Sequence, residues 1–450
     1  MGDAEDGKSP LRIAIIGGGI GGLSLLLGIL RHCDQRVLEP HLFEAAHAFS
    51  EIGAGVGFLP NAVRAMHAID PRIYDSYSRI ADKAPSVTVD GREMSEFANV
   101  YMGMDGRGGA NTDKAFERIC TIHNENKFRN VHRAVFLDAM VNLLPGGFRG
   151  GLVNFNKRCV DIQDDGKRVK VLFADGTSEI FDAVVGCDGV KSQVRNILHG
   201  EQEKYEPQFT GKYAYRGLIP IDDAISVLGK GVAMTQALIF GYGGHLVTFP
   251  IDQGKTLNVV AFRDAPKWNH GTNWVVPVTV EDVLEDFKGW SQPVSKLLSL
   301  LKKPDKWGLF DLPPAASFVR GGKICLVGDC AHASTPHLGA GAGMAIEDAA
   351  VLSRLLGEMH TPETVHLANA FAAYDSVRRE RDQRLVVASR NAGMLYEFET
   401  PGVEDDLERI RRILDSQWDW IWDLDIGVHC EEAIKLMYCP ERLSSLSKAW

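Results

Sequence analysis

Eighteen residues near the start, IAIIGGGIGGLSLLLGIL (residues 13–30), constrain the fold more than any other stretch. Their length alone would let them cross a membrane, but six glycines interrupt the run. The segment LRIAII is apolar and rich in β-branched residues, as a buried parallel strand should be. GGGIGG follows, and LSLLLGILRH can be helical. Gly17, Gly19 and Gly22 satisfy the G-x-G-x-x-G spacing between strand and helix. In that context Gly17 permits a tight turn, Gly19 the approach of a pyrophosphate, and Gly22 close helix–strand packing. The N-terminus of the helix then faces the phosphates. A second strand, HLFEAA, brings Glu44 to the place where a carboxylate accepts from ribose hydroxyls. An acidic residue there disfavours a 2′-phosphate, so this site reads as one for NAD or FAD, and these residues alone do not separate the two. The alternative is a glycine-rich turn in an unrelated α/β protein.

Bulk properties set wider limits. A chain of 450 residues predicts two or three domains. A net charge of −10 argues against a nucleic-acid partner or an anionic membrane surface. Eight cysteines without a C-x-x-C pair fit free thiols in a reducing compartment. The acidic start, MGDAEDGKSPLR, is unlike a signal peptide. The expectation is a cytoplasmic protein without stable membrane insertion, monomeric or homodimeric.

Two further stretches read as buried strands running into loops. AVVGCDG ends at Asp188 and Gly189, and KICLVGD ends at Asp329. The second leads into DCAHASTPHLGAG, where Asp329, Cys330, His332 and His337 offer four potential metal ligands. A helix is expected from about Ala342, with Ala345, Ala349, Leu352 and Leu356 as its apolar stripe. Because the loop joins a buried strand to a helix in a dinucleotide-binding setting, its glycines matter more than its histidines, and no metal is expected.

GGGIGG, VVGCDGVKSQVR and CLVGDCAHASTPHLGAGAGMAIEDA together resemble the FAD-dependent aromatic hydroxylases, the single-component flavoprotein monooxygenases. The order and spacing match over roughly residues 10 to 395. SEIGAGVGFLPNAVRAM, YAYRGLIPIDDAI and GGHLVTFPID look closest to fungal salicylate hydroxylases and related phenolate hydroxylases. The resemblance implies an α/β fold: a Rossmann-like FAD-binding domain (10–90, 125–205 and 311–365), an inserted β-sheet substrate domain (206–310 with parts of 91–124), and a C-terminal helical region (366–450). It implies FAD at Gly17, Gly19, Gly22 and Glu44, with Gly57 lining the cofactor and Arg133 near its ribityl and phosphate region. Arg133 also reads as a surface arginine on an amphipathic helix. Asp329 would meet the ribityl chain, and Pro336, Gly341 and Ala342 would pass beside the flavin ring. Asp188 would support FAD and a passing NADH or NADPH. With one nucleotide fingerprint evident, NAD(P)H would bind transiently. The implied chemistry is reduction of FAD, reaction with O2 through a flavin hydroperoxide, and hydroxylation of a phenolic acid. Decarboxylation of salicylate to catechol is the first reading.

Arg216 is the substrate-anchoring candidate, since a buried guanidinium pairs with a carboxylate or phenolate; a structural salt bridge is its alternative. Related phenolate hydroxylases place a tyrosine where this chain has Phe249, which cannot donate that bond. This favours a salicylate-type enzyme over a dearomatising one. His337 either orients or deprotonates the substrate or is a neutral structural imidazole. Tyr215, His245 and Tyr242 are weaker pocket candidates. Trp418 and Trp422 in WDWIWDLD read as core packing or a subunit contact, RRERDQRL as a solvated helix face, and NKFRNVHR as a basic mouth for NAD(P)H. The alternatives are the same chemistry on a polyketide phenol or another hydroxybenzoate, a flavin-free NAD-dependent dehydrogenase, and a non-catalytic flavin-binding protein.

Overall fold

The computed structural model describes residues 9–48, 55–84, 86–104, 116–126, 130–147, 150–200 and 202–439. The apolar run divides where its glycines fall, into strand Leu11–Ile16 and helix Ile20–His32. Ile13, Ala14 and Ile15 are fully buried, as a strand covered on both faces requires. This strand pairs in parallel with Leu38–Phe43 on one side and Ala183–Gly186 on the other. Ile324–Leu326 extends the sheet beyond Ala183–Gly186, again in parallel. The three motif strands therefore end side by side, although they are far apart in the chain. Gly17 has a φ of 110°, and a Cβ there would lie 2.3 Å from the carbonyl oxygen of Cys187. A Cβ on Gly22 would lie 2.0 Å from the carbonyl oxygen of Gly17. Both glycines are required by backbone contacts, which no side-chain rotation relieves.

A second sheet stands against the first domain. Among the described residues its order is Val275–Pro277, Asp305–Asp311, Gln208–Pro220, Thr256–Asp264, Gly244–Ile251, Ala237–Gly241, Arg92–Met102 and Ser86–Val89. The pleat sorts its residues by parity. Tyr215, Leu246, Val259 and Ala261 pack against Val294, Leu297 and Leu298 of the helix Gln292–Ser299 on the outer face. Arg216, Val247, Phe249, Asn258 and Val260 face inward.

The C-terminal part binds the two halves together. The helix Thr364–Tyr396 buries Leu367, Ala370, Phe371 and Tyr374 in the first core. Near its other end, Leu385, Ala392, Leu395 and Tyr396 pack with Ala98, Val100, Leu238 and Phe240 of the second sheet. No helix among the described residues is long and apolar enough to cross a membrane.

One expectation fails on this helix. RRERDQRL is not a solvated face: Arg378 and Asp382 are fully buried. The Arg378 guanidinium donates to Glu347 (2.6 Å), Asp348 (2.8 Å) and Asp382 (2.7 Å). Arg381 and Asn61 also donate to Glu347, and His332 meets Asp348 at 2.7 Å. Apart from the i, i+4 pair Arg378–Asp382, the partners lie on the helix Gly341–Gly357, on the turn after Ile324–Leu326 and at Asn61, so the charge run alone could not reveal the burial.

Candidate active site

The inner face of the second sheet, the segment Gly55–Leu59 and the DCAHASTPHLGAG loop border a cavity of 740 Å³. Gly57, Asp329, Pro336, His337, Gly341 and Ala342 line one side, and Arg216 and Phe249 line the other. The loop passes along the cavity because its turn, Pro336–Leu338, runs directly into the helix Gly341–Gly357. That places the helix N-terminus, with its unsatisfied N–H groups, on the cavity wall.

The four potential metal ligands of the loop part company. The Cys330 thiol donates to the Gly186 carbonyl, His332 turns to Asp348, and His337 turns to His245. Asp329 lies on the cavity. Two acidic clusters elsewhere are filled by cations of the chain itself. Arg378 lies among Glu347, Asp348 and Asp382, and Lys212 among Asp264, Glu397 and Glu399.

The nucleotide end of the site is built around the glycine turn. Glu44 accepts from the Gly18 amide at 2.7 Å and from the Ala46 amide at 2.8 Å. Arg133 opens the helix Arg133–Val141, and its guanidinium comes within 4.0 Å of the Cβ position of Gly19. Asn130, beside Gly57, buries an amide nitrogen that lacks a hydrogen-bond partner. A turn closed to side chains, a guanidinium beside it, an orphaned donor and a free carboxylate at Asp329 fit a dinucleotide that carries a flat ring into the cavity. Asp188 has another task. Its carboxylate accepts from Ser192 (2.5 Å) and from the amides of Gln193 (2.8 Å) and Val194 (3.2 Å), capping the helix Gln193–His199.

On the substrate side, Arg216 lies over the Trp307 ring at 4.5 Å. Its Nε is buried without a hydrogen-bond partner, and so is the indole Nε1 of Trp307. Burial lowers the Arg216 pKa to about 10, and the nearby charge of Arg133 acts in the same direction. No salt bridge holds Arg216 among the described residues, so the structural alternative lapses. Phe97, Leu238, Val247, Phe262 and Trp418 supply apolar wall.

Three pocket expectations are corrected. Tyr215 adjoins Arg216 in an extended strand, so it points to the opposite face, where its hydroxyl donates to Asp286 at 2.5 Å. His245 shares the inner face but is fully buried behind His337, stacked on Phe262 at 4.3 Å. Tyr242 also turns away, donating to Asp405 at 2.5 Å. Burial lowers the pKa of both His245 and His337 well below the ordinary value, so both imidazoles are neutral.

Trp418 lies on the cavity, and its indole donates to the Leu338 carbonyl at 3.1 Å, which ties the C-terminal segment to the loop. The core-packing reading of Trp418 and Trp422 holds, since Trp418 is buried and stacks on Trp422 at 5.7 Å, and Trp418 borders the cavity as well. Phe97, Asn126, Asn258 and Trp307 gave no signal. Of the NKFRNVHR segment, residues 127–129 lie outside the described residues.

The comparisons with known proteins agree with this geometry. The family described as "FAD binding domain" matches residues 254–389. The chain is 40% identical to 6-methylsalicylate 1-monooxygenase of Aspergillus terreus, over 94% of this chain and 92% of that one. It is 37% identical to a salicylate hydroxylase of Pseudomonas putida, over 96% of each. A solved salicylate hydroxylase substrate complex superposes with a TM-score of 0.79 at 33% identity, covering 95% of this chain and 98% of that one. FAD is the cofactor these matches and the cavity agree on, and the chain belongs to the FAD-dependent aromatic hydroxylases, as a flavoprotein monooxygenase of the salicylate hydroxylase type.

Proposed function

We propose that the protein hydroxylates a salicylate-class phenolic acid at its carboxylated carbon, releasing carbon dioxide and a catechol, with NADH or NADPH as reductant. The observation that carries this reading is Arg216, a buried guanidinium with no ion-pair partner, on the wall of an aromatic-lined cavity. An anionic ligand would give this guanidinium its missing counter-charge. The names of the relatives at 37–40% identity point to the same substrate class.

When bound, FAD supplies the activation of dioxygen and the transfer of one oxygen atom. The chain's residues set the conditions. Glu44, Arg133 and Asp329 hold the cofactor along its length, and the loop from Pro336 to Ala342 lets backbone approach the ring. Arg216 anchors the substrate anion and stabilises negative charge on its oxygen, which enriches the ring carbon that is attacked. Phe97, Phe249, Phe262 and Trp418 hold the aromatic ring and exclude water. Phe249 offers no hydroxyl, so the oxyanion depends on Arg216.

The test is NADH and NADPH oxidation with salicylate and with 6-methylsalicylate, the catechols being quantified by chromatography. Catechol formed in step with oxidised cofactor is expected. Hydrogen peroxide as the sole product would reduce salicylate to an effector and overturn the assignment.

A further inference from the structure

Asn258 is a buried polar residue that the fold leaves unused. It sits in the strand Thr256–Asp264, between two paired strands of the second sheet, and is only 6% exposed. Its side chain lines the cavity, and its amide makes no hydrogen bond to any described residue. Its neighbours on the inner face are Leu218, Phe249 and Val260, none of which has a polar side-chain atom. Asparagine is a poor strand former, and a buried amide without a partner costs stability. A leucine, similar in size, would serve the fold better. The amide therefore serves what enters the cavity.

The register fixes where that amide lies relative to Arg216. Arg216 pairs with Val260, and Val260 pairs in turn with Val247. One rung further along the sheet, Leu218 pairs with Asn258, and Asn258 with Phe249. On the other side of the Arg216 rung, Ala214 pairs with Trp307, and the Arg216 guanidinium lies 4.5 Å from that tryptophan's ring. The cation and the amide thus bracket the Arg216–Val260–Val247 rung, and successive rungs on one face are about 7 Å apart. One substituted benzene ring lying over Val260 spans that gap. With its carboxylate on Arg216, its far edge reaches Asn258. Gln236 precedes Ala237, whose partner is Thr248, and so comes next to Phe249. It brings a second side-chain amide without a hydrogen bond among the described residues to the same end of the cavity.

We infer that Asn258 is a substrate-binding residue that selects for a second hydroxyl, on the ring edge away from the carboxylate. This rests on the salicylate-class reading above and narrows it to salicylates hydroxylated again on the far edge, the 2,4- and 2,5-dihydroxybenzoates. The choice of a hydroxyl follows from donor and acceptor inventory. A carboxamide carries no charge and offers both N–H donors and a carbonyl acceptor, and a phenolic hydroxyl likewise donates and accepts. A methyl group in the same place would leave the amide dry and unpartnered. So would plain salicylate, which strips water from the amide and puts nothing in its place. A polar pocket rejects an analogue that lacks the matching group for this reason. Arg216 thus sets the charge of the ligand, and Asn258 sets the pattern of substituents on its ring.

The experiment measures Kd for salicylate, 2,4-dihydroxybenzoate and 2,5-dihydroxybenzoate on the FAD-loaded protein, from the change in flavin absorbance, in the wild type and in Asn258→Leu. In the wild type at least one dihydroxybenzoate is expected to bind about tenfold more tightly than salicylate, the worth of one neutral hydrogen bond. In Asn258→Leu that ratio is expected to fall to within about twofold of one, with FAD affinity unchanged and the melting temperature equal or higher. Asn258→Ser, which keeps a hydroxyl, should recover part of the preference. Salicylate bound as tightly as both dihydroxybenzoates by the wild type overturns the inference and leaves the salicylate reading standing; this arm needs no variant. A preference that survives in Asn258→Leu, or a loss of FAD affinity there, overturns it as well. A preference lost in Asn258→Leu, without carbon dioxide release on turnover with NADH or NADPH, supports the inference and overturns the reaction proposed above.

Discussion

Arg378 and Arg216 both hold guanidiniums inside the fold, the first fully buried and the second half-buried on the cavity wall, and their surroundings are opposite. Arg378 is saturated by three carboxylates and shut away from solvent beneath the loop helix. Arg216 has a tryptophan face, an unpartnered Nε and an open cavity. A buried cation that the protein itself neutralises holds elements together; one left without a counterion is held ready for an anion from outside. The contrast also separates stability from binding. Arg378 joins the helix Gly341–Gly357 to Thr364–Tyr396, whereas Arg216 joins nothing until a ligand arrives.

The largest effect should come from breaking the saturated site. Arg378→Met leaves three buried carboxylates facing one another and should cost about 3–5 kcal/mol of stability, read by denaturant unfolding. A cost under 1 kcal/mol would mean that these acids are protonated in the fold. Next, Arg216→Met should weaken salicylate binding by roughly 2–5 kcal/mol, while leaving FAD affinity within threefold and the melting temperature unchanged or higher. A variant that loses FAD before it loses salicylate would place Arg216 on the cofactor.

The smallest effect is a pH trend. Burial alone would lower the pKa of His332, but the carboxylates of Asp382 and Asp348 more than reverse this and push it up to about 9. Because the folded value exceeds the ordinary 6.5, the stabilisation is complete below about pH 6.5 and is lost as the pH rises through about 9. The melting-temperature gap between wild type and His332→Gln should therefore shrink from pH 6 to pH 9.5. A flat gap would show that His332 is uncharged in the fold.

What could be read from the sequence was local chemistry. The GGGIGG turn carries its own reason, since Gly17 and Gly22 are fixed by contacts within one strand–turn–helix unit and its immediate neighbour. The loop after Asp329 was legible for the same reason. Tyr215 was misread because adjacency in a strand means opposite faces. Arg378 and Asp382 were misread because, beyond their own i, i+4 pair, their partners are distant in sequence, and polarity along a helix does not say what covers it. Trp307 and Phe97 reach the cavity only through the register of the second sheet, and no short pattern records that register.

The strand order of the first sheet has a consequence for how the protein is made. Leu11–Ile16 is synthesised well before its neighbour Ala183–Gly186 and the next strand, Ile324–Leu326. Trp418, which closes the cavity, comes later still. A chain still on the ribosome thus carries a complete nucleotide fingerprint with no finished sheet beneath it. Such long-range pairing slows folding and leaves apolar strand edges uncovered in the meantime. Full cofactor affinity therefore belongs only to a chain whose synthesis has passed these later segments, and flavin uptake during synthesis would report that the sheet is complete.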